Sequence, residues 1–260
     1  MIKRKIDPEN FNSDLRNFRA SELDILARYT EQFRKNANLR PEMTMYNWPR
    51  FVRTNEITRF LTFYETYKLI RDVQGSVFQV GVLEGNTLFT FAHLVETFEP
   101  RNYTRKIFAF DTYGVDDYLQ VSTHDAQYLD SDIKTIPKVS SLDDLKQSAQ
   151  LFNDSRLFSQ FRQIEFIEGD AAKTVPQFLA SNPGTVCALL NLQISLYNVE
   201  KEVLRAVWPR IPLGGVVHFA SLGYEGSPSV GKMLDEVLGI SNMRIKRYSF
   251  ATKMSYIIKE

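Results

Sequence analysis

Cysteine, histidine and long apolar runs are all scarce in this 260-residue chain. A single cysteine, Cys187, excludes an internal disulfide and fits a reducing compartment, and its apolar surroundings read as those of a small core residue. No stretch of about 18 residues is apolar enough to span a bilayer. Met1-Ile2-Lys3-Arg4-Lys5 leads into polar sequence without the apolar core of a secretory signal. An excess of one charge is also missing: 32 basic against 31 acidic residues leave +1, so no global field draws the chain to nucleic acid or an anionic membrane. The expectation is a cytoplasmic protein with neither nucleic acid nor membrane as partner. Internal repeats and low-complexity tracts are absent as well.

What is present is enough hydrophobic sequence, 43%, for one sizeable core with an extension. Residues 1–53 are polar, with weak helical periodicity at Leu23, Ile25, Leu26 and Tyr29, and read as an N-terminal helical arm or lid. Residues 54–260 read as the main domain. Thr54 is a good N-cap, and Ile57, Phe60, Leu61, Tyr64, Tyr67 and Leu69 recur at helical spacing up to Gly75. Strand-like and helical runs then alternate over 76–81, 86–98, 106–111, 164–169, 172–180, 185–192, 199–208 and 215–219. That alternation predicts an α/β fold, a parallel sheet with helices on both faces. Two β-rich runs, 244–250 and 254–259, predict a C-terminal antiparallel hairpin with its turn at 251–253. Between them these features match a Rossmann-like class I methyltransferase sheet rather than a dehydrogenase. The aperiodic segment 112–137 reads as an active-site cover, and Ser141 with Asp144 reads as a helix start.

The chemistry concentrates in Val77-Phe78-Gln79-Val80-Gly81-Val82-Leu83-Glu84-Gly85-Asn86-Thr87, followed by Ile107-Phe108-Ala109-Phe110-Asp111. A strand feeding a glycine turn and a helix brings backbone N–H groups to a ligand, and an acid ending the next strand can accept both hydroxyls of a ribose. A nucleoside-containing cofactor is expected. On spacing alone Gly81 and Gly85 can simply turn the chain, and Asp111 can simply cap a turn. Glu168-Gly169-Asp170-Ala171 ends a third strand in an acid, which can meet an adenine amine or cap the next helix. His93 reads as a packed helix position. The aromatics Tyr46, Trp48, Tyr113 and Tyr118 could stack on a sugar or adenine, or serve ordinary packing.

Several stretches resemble the macrocin O-methyltransferase family, in particular its branch of dTDP-6-deoxy-hexose 3-O-methyltransferases. They include Arg53-Thr54-Asn55-Glu56-Ile57, Val80-Gly81-Val82-Leu83-Glu84-Gly85-Asn86-Thr87, Glu99-Pro100-Arg101-Asn102, Phe110-Asp111-Thr112-Tyr113-Gly114, Glu168-Gly169-Asp170-Ala171-Ala172, Pro209-Arg210-Ile211-Pro212 and Ile245-Lys246-Arg247-Tyr248. The resemblance runs from about residue 50 to the end. It implies S-adenosylmethionine as cofactor, held by Gln79, Gly81, Glu84, Gly85, Asn86, Thr87, Asp111, Thr112, Asp170 and Ala171. It also implies a sugar or nucleotide-sugar acceptor and a homo-oligomer.

The family uses a divalent metal to acidify the sugar hydroxyl, held by an Asp-x-Asp after the fourth strand and an acidic pair ending the fifth. Here those four positions align with Gln193, Ser195, Ala220 and Ser221. Magnesium needs hard, preferably anionic oxygens, so no metal site is expected. Gln79 likewise replaces an acid that stands two residues before the first glycine of the turn. Two candidates could replace the missing base, His218 on the fifth strand and Glu225 in the loop after it, although a buried hydrogen-bonded histidine and a solvated acid are the bland readings. His124, in the cover segment near Asp116, Asp117 and Asp125, could also reach the pocket or stand in solvent. Two functions follow: a metal-free sugar O-methyltransferase, or a catalytically silent binding or scaffold protein that pairs with an active relative.

Overall fold

The computed structural model describes residues 20–114, 141–223 and 228–260. They form two compact units, one ending at Leu61 and the other comprising Thr62–Glu260. In the first, α1 (Ala20–Leu39) and α2 (Pro41–Tyr46) are followed by a 3-10 turn at Trp48–Arg50 and the start of α3 (Thr54–Ile70). The periodic residues Ile25 and Tyr29 are exposed, as are Met45, Tyr46 and Trp48. Local packing comes instead from Phe33 meeting Phe51 edge-on at 6.1 Å. Thr54 is not the cap that its residue type suggests. It is already helical, and Glu56 reaches back to accept the Arg53 N–H at 2.9 Å, the returning half of a capping box.

The second unit is built on β1 (Ser76–Val80), β2 (Ile107–Asp111), β3 (Ile164–Glu168), β4 (Cys187–Leu192), β5 (Val216–Phe219), β6 (Lys246–Tyr248) and β7 (Ala251–Ile258). These make one sheet in the order β3-β2-β1-β4-β5-β7-β6. The first five are parallel, and β7 runs antiparallel to both β5 and β6. The expected α/β architecture and closing hairpin are therefore present. The hairpin turn falls at Ser249 and Phe250, however, with Ala251 already paired to Tyr248, so β7 starts earlier than the residue pattern indicates.

Helices α4 (Asn86–Phe98), α5 (Leu142–Asp154), α6 (Ala171–Ser181), α7 (Tyr197–Val207) and α8 (Pro228–Leu238) surround the sheet. Two cores result, because successive strand residues point to opposite faces. Phe78, Phe108, Leu190, Val217 and Ile257 pack with Val175, Leu179, Val203 and Met233 on one face. Val77, Ile107, Leu189 and Val216 pack with Phe63, Tyr67, Leu88 and Phe91 on the other. β1, β4 and β5 are buried along their whole length, as expected of strands covered on both sides. Ser141 caps α5 as expected, its Oγ accepting the Asp144 N–H at 3.2 Å.

The chain steps outward from β1 through β2 to β3 and then returns to place β4 on the other side of β1. From β1 the chain crosses over towards β2 and from β4 towards β5, in opposite directions across the sheet, and that switch point is where open α/β sheets form their ligand crevice.

Candidate functional site

Three loops at the carboxyl ends of β1, β2 and β4 carry the strained backbone. Among the described residues, the non-glycine residues with positive φ are Leu83 (51°), Tyr113 (51°) and Ser195 (60°), one in each loop. Such conformations cost about 1–3 kcal/mol each and persist only where the surroundings enforce them. The enforcing group for two of them is Asp111. Its Oδ2 accepts the N–H groups of Val82 and, at 3.1 Å, Leu83, while its Oδ1 accepts the Tyr113 N–H at 3.0 Å. Asp111 thus organises the turns after β1 and β2 from its place at the end of β2.

Within the turn, Gly81 has φ +88°, and a Cβ there would lie 2.8 Å from Ile194 Cγ1. The tight approach of the loops after β1 and β4 therefore requires glycine. Gly85, at φ +80°, is the N-cap of α4 and gives it no side-chain cap, so the first amides of α4 remain available to a ligand. Glu84 and Asn86 beside it are exposed, and Thr87 is buried. Thr112 is buried next to Asp111. Asp170 caps α6, its Oδ1 accepting the Ala172 N–H at 2.9 Å, and Ala171 is buried at the first helical position.

A polar line crosses the sheet beneath this turn. Gln79, Asn191 and His218 occupy neighbouring register positions on β1, β4 and β5 and are each 0% exposed. Asn191 Nδ2 donates to Gln79 Oε1 at 2.6 Å, Gln79 Nε2 donates to the Gly81 carbonyl at 2.6 Å, and Gln193 Nε2 donates to Asn191 Oδ1 at 3.1 Å. His218 Nδ1 lies 3.4 Å from Gln193 Nε2, and its ring packs against Phe63 and Tyr248 at 5.6 and 5.9 Å. Gln79 is thus embedded behind the turn and bears on it through Gly81. Residue-by-residue reading missed Asn191, although a polar residue inside Leu189-Leu190-Asn191-Leu192 was the available signal.

On the β4–β5 side, Ser195 Oγ and Ser221 Oγ are 2.7 Å apart, and the Ser195 N–H donates to Glu200 Oε1 at 2.7 Å. Two of the four positions aligned with metal-binding acids therefore do converge, but as a hydroxyl pair. Among the described residues no group of three His, Cys, Asp or Glu is placed to hold a metal ion. His93 packs its ring edge-on against the buried Phe152 at 5.0 Å while keeping one side accessible to solvent. Glu225, His124, Asp116, Asp117, Asp125, Tyr118 and most of the expected cover segment lie outside the described residues. No helix among the described residues is long and apolar enough to cross a membrane.

Two structures of CalS11 match nearly the whole chain. The calicheamicin methyltransferase CalS11 is 28% identical, covering 96% of this chain and 98% of its own, with a TM-score of 0.85. The apo form, described as a TDP-rhamnose 3'-O-methyltransferase of calicheamicin biosynthesis, covers 95% and 99% at a TM-score of 0.78. This is a class I methyltransferase fold. The O-methyltransferase NovP shares that fold at 16% identity, over 78% of this chain and 80% of its own, with a TM-score of 0.62. No protein-family model and no curated protein sequence matches the chain. Within the methyltransferase fold, the Asp111-bound turn and the Ser195–Ser221 pair stand at the ends of adjacent strands and define the two sides of the candidate site.

Proposed function

We propose that the protein binds S-adenosylmethionine and methylates a hydroxyl of a sugar or nucleotide sugar, as a member of the macrocin O-methyltransferase family that works without its metal. The observation that carries this reading is the Asp111 carboxylate locked onto the glycine turn at the sheet's switch point, in a chain that matches CalS11 over 96% of its length.

The donor set fits the cofactor. An ionised carboxylate offers about four acceptor positions; Asp111 gives three to the N–H groups of Val82, Leu83 and Tyr113 and the fourth only to a long contact from the Thr112 hydroxyl at 3.5 Å, which a ribose hydroxyl can replace. The uncapped start of α4 favours the methionine carboxylate. Asp170 Oδ2, in a long ion pair with the exposed Lys173 at 3.9 Å, can also accept from an adenine amine. When bound, the cofactor supplies an electrophilic methyl group. The chain's part is to hold the acceptor hydroxyl in line with it and to exclude water. Ser195, Ser221 and Gln193 can orient sugar hydroxyls as neutral donors and acceptors, and Glu225 is the proposed proton acceptor.

The donor set does not fit a magnesium ion. An amide and a hydroxyl pair offer no anionic oxygen to offset dehydration of the ion. The same observation favours a second reading, a catalytically silent member that binds cofactor or sugar and pairs with an active relative. We place either form in the cytoplasm as a homo-oligomer. Transfer of labelled methyl from S-adenosylmethionine to a panel of nucleotide sugars, with and without a chelator, separates the two. Transfer that survives the chelator supports the enzyme, transfer abolished by it contradicts the metal-free mechanism, and none on any acceptor favours the silent reading.

A further inference from the structure

The hydrogen bonds behind the glycine turn have only one consistent direction. The Gly81 carbonyl can only accept, so the Gln79 atom 2.6 Å from it must be the amide nitrogen. Gln79 Oε1 must then accept, which makes the Asn191 atom 2.6 Å away a nitrogen. Asn191 Oδ1 in turn accepts from Gln193 at 3.1 Å, so Gln193 presents its nitrogen there and, at 3.4 Å, to His218 Nδ1. A ring nitrogen that receives an N–H cannot itself carry a proton.

We infer that Asn191 is a positioning residue: through Gln193 it relays the orientation set by the Gly81 carbonyl to His218 and holds that imidazole as the neutral Nε2–H tautomer. The relay crosses β1, β4 and β5 at register positions whose neighbours are apolar. Buried amides are costly unless satisfied, and a chain of aligned amides is cooperatively strengthened. Its directionality ties the glycine turn after β1 to β5, two strands away in the sheet. One consequence rests on the proposed function: with Nδ1 committed to Gln193 and Nε2 already protonated, His218 does not serve as the base. The base then comes from elsewhere, and His218 becomes a positioning group.

The scarcity of histidine makes the test direct. In the full-length His93→Gln/His124→Gln protein, His218 is the sole imidazole, and nitrogen-15 NMR of labelled histidine reports which ring nitrogen bears the proton. The Nε2–H form is expected in at least about tenfold excess, equivalent to about 1.4 kcal/mol. Adding Asn191→Leu should collapse that excess several-fold. Should the Asn191 variant not fold, Gln193→Met, at a partly exposed position, tests the adjoining link with the same expected collapse. A dominant Nδ1–H form, or a ratio unchanged by loss of the relay in folded protein, overturns the inference. The measurement needs no cofactor. Failure to bind S-adenosylhomocysteine with the tautomer preference intact would count against the proposed function alone.

Discussion

Asp111 accepts the Leu83 N–H at 3.1 Å, so the acid that ends β2 and the left-handed residue in the turn after β1 form one unit. Through its other oxygen the same carboxylate holds Tyr113, the left-handed residue that follows β2. A group that merely capped one turn would not bridge two strained loops at the switch point. The crevice is thus organised around a single anion, and its loss should be felt in both stability and ligand binding.

Asp111→Asn keeps the shape but removes the charge and turns one acceptor into a donor facing backbone N–H groups. Hydrogen bonds to charged groups contribute about 1.5–3 kcal/mol, and an expected destabilisation of about 2 kcal/mol should appear in urea unfolding. Affinity for S-adenosylhomocysteine should fall by at least about tenfold, the equivalent of about 1.4 kcal/mol. Unchanged affinity would remove Asp111 from the cofactor site.

Gly81→Ala tests the close approach of the loops. The new Cβ would combine φ +88° with a 2.8 Å approach to Ile194 Cγ1, and a cost of about 2–4 kcal/mol is expected. Gly223, at φ +75° with open space around it, is the control, and Gly223→Ala should cost only about 1 kcal/mol of backbone strain. Equal costs in chemical denaturation would show that packing against Ile194 is not what requires the glycine.

The sheet was legible because its signals are local. Apolar runs such as 185–192 are short and bounded by turn residues, which favours a strand covered on both faces over a helix. Asp111 was legible as a candidate from its place at the end of the second strand, but its bonds to Val82 and Leu83 span almost thirty positions and no local pattern carries them. The relay through Asn191 was illegible for a related reason, since it depends on the register between β1, β4 and β5. Thr54 misled because its residue type outweighed the Glu56 that reaches back to Arg53.

Arg105 separates scaffold from site. At the opposite end of the sheet it is buried, paired with Glu99 at 2.9 Å, and donates to the carbonyls of Ile70, Arg71, Val73 and Gly75. Removing one partner of a buried pair costs about 3–5 kcal/mol, and Arg105→Ala should lose that much in thermal or urea unfolding. Under conditions where the variant is folded, its affinity for S-adenosylhomocysteine should match the wild type.

The contact between α7 and α8 has a pH signature. Lys201 and Tyr197 donate to Glu236 and hold its carboxyl well below its ordinary value, at about 2. A carboxyl lowered on folding contributes stability that is complete above its unfolded value of 4.5 and is lost as the pH falls towards about 2. Glu236→Gln should therefore be less stable than wild type at neutral pH by a small amount, as befits an exposed group. The difference should shrink below pH 4.5 and fade as the pH falls through about 2; a gap that stays constant across that range would assign it to packing instead.

The central claim, a nucleoside cofactor site that has kept its binding half and exchanged its metal-binding half for neutral groups, is tested most directly by calorimetric titration of the full-length protein with S-adenosylhomocysteine, with and without magnesium. The expected result is saturable binding that magnesium leaves unchanged in the wild type. With Asp placed at Gln193, Ser195, Ala220 and Ser221, the same titration with magnesium alone should show a binding event that the wild type lacks. No binding of S-adenosylhomocysteine at millimolar concentration, or wild-type binding that requires magnesium, would contradict the account.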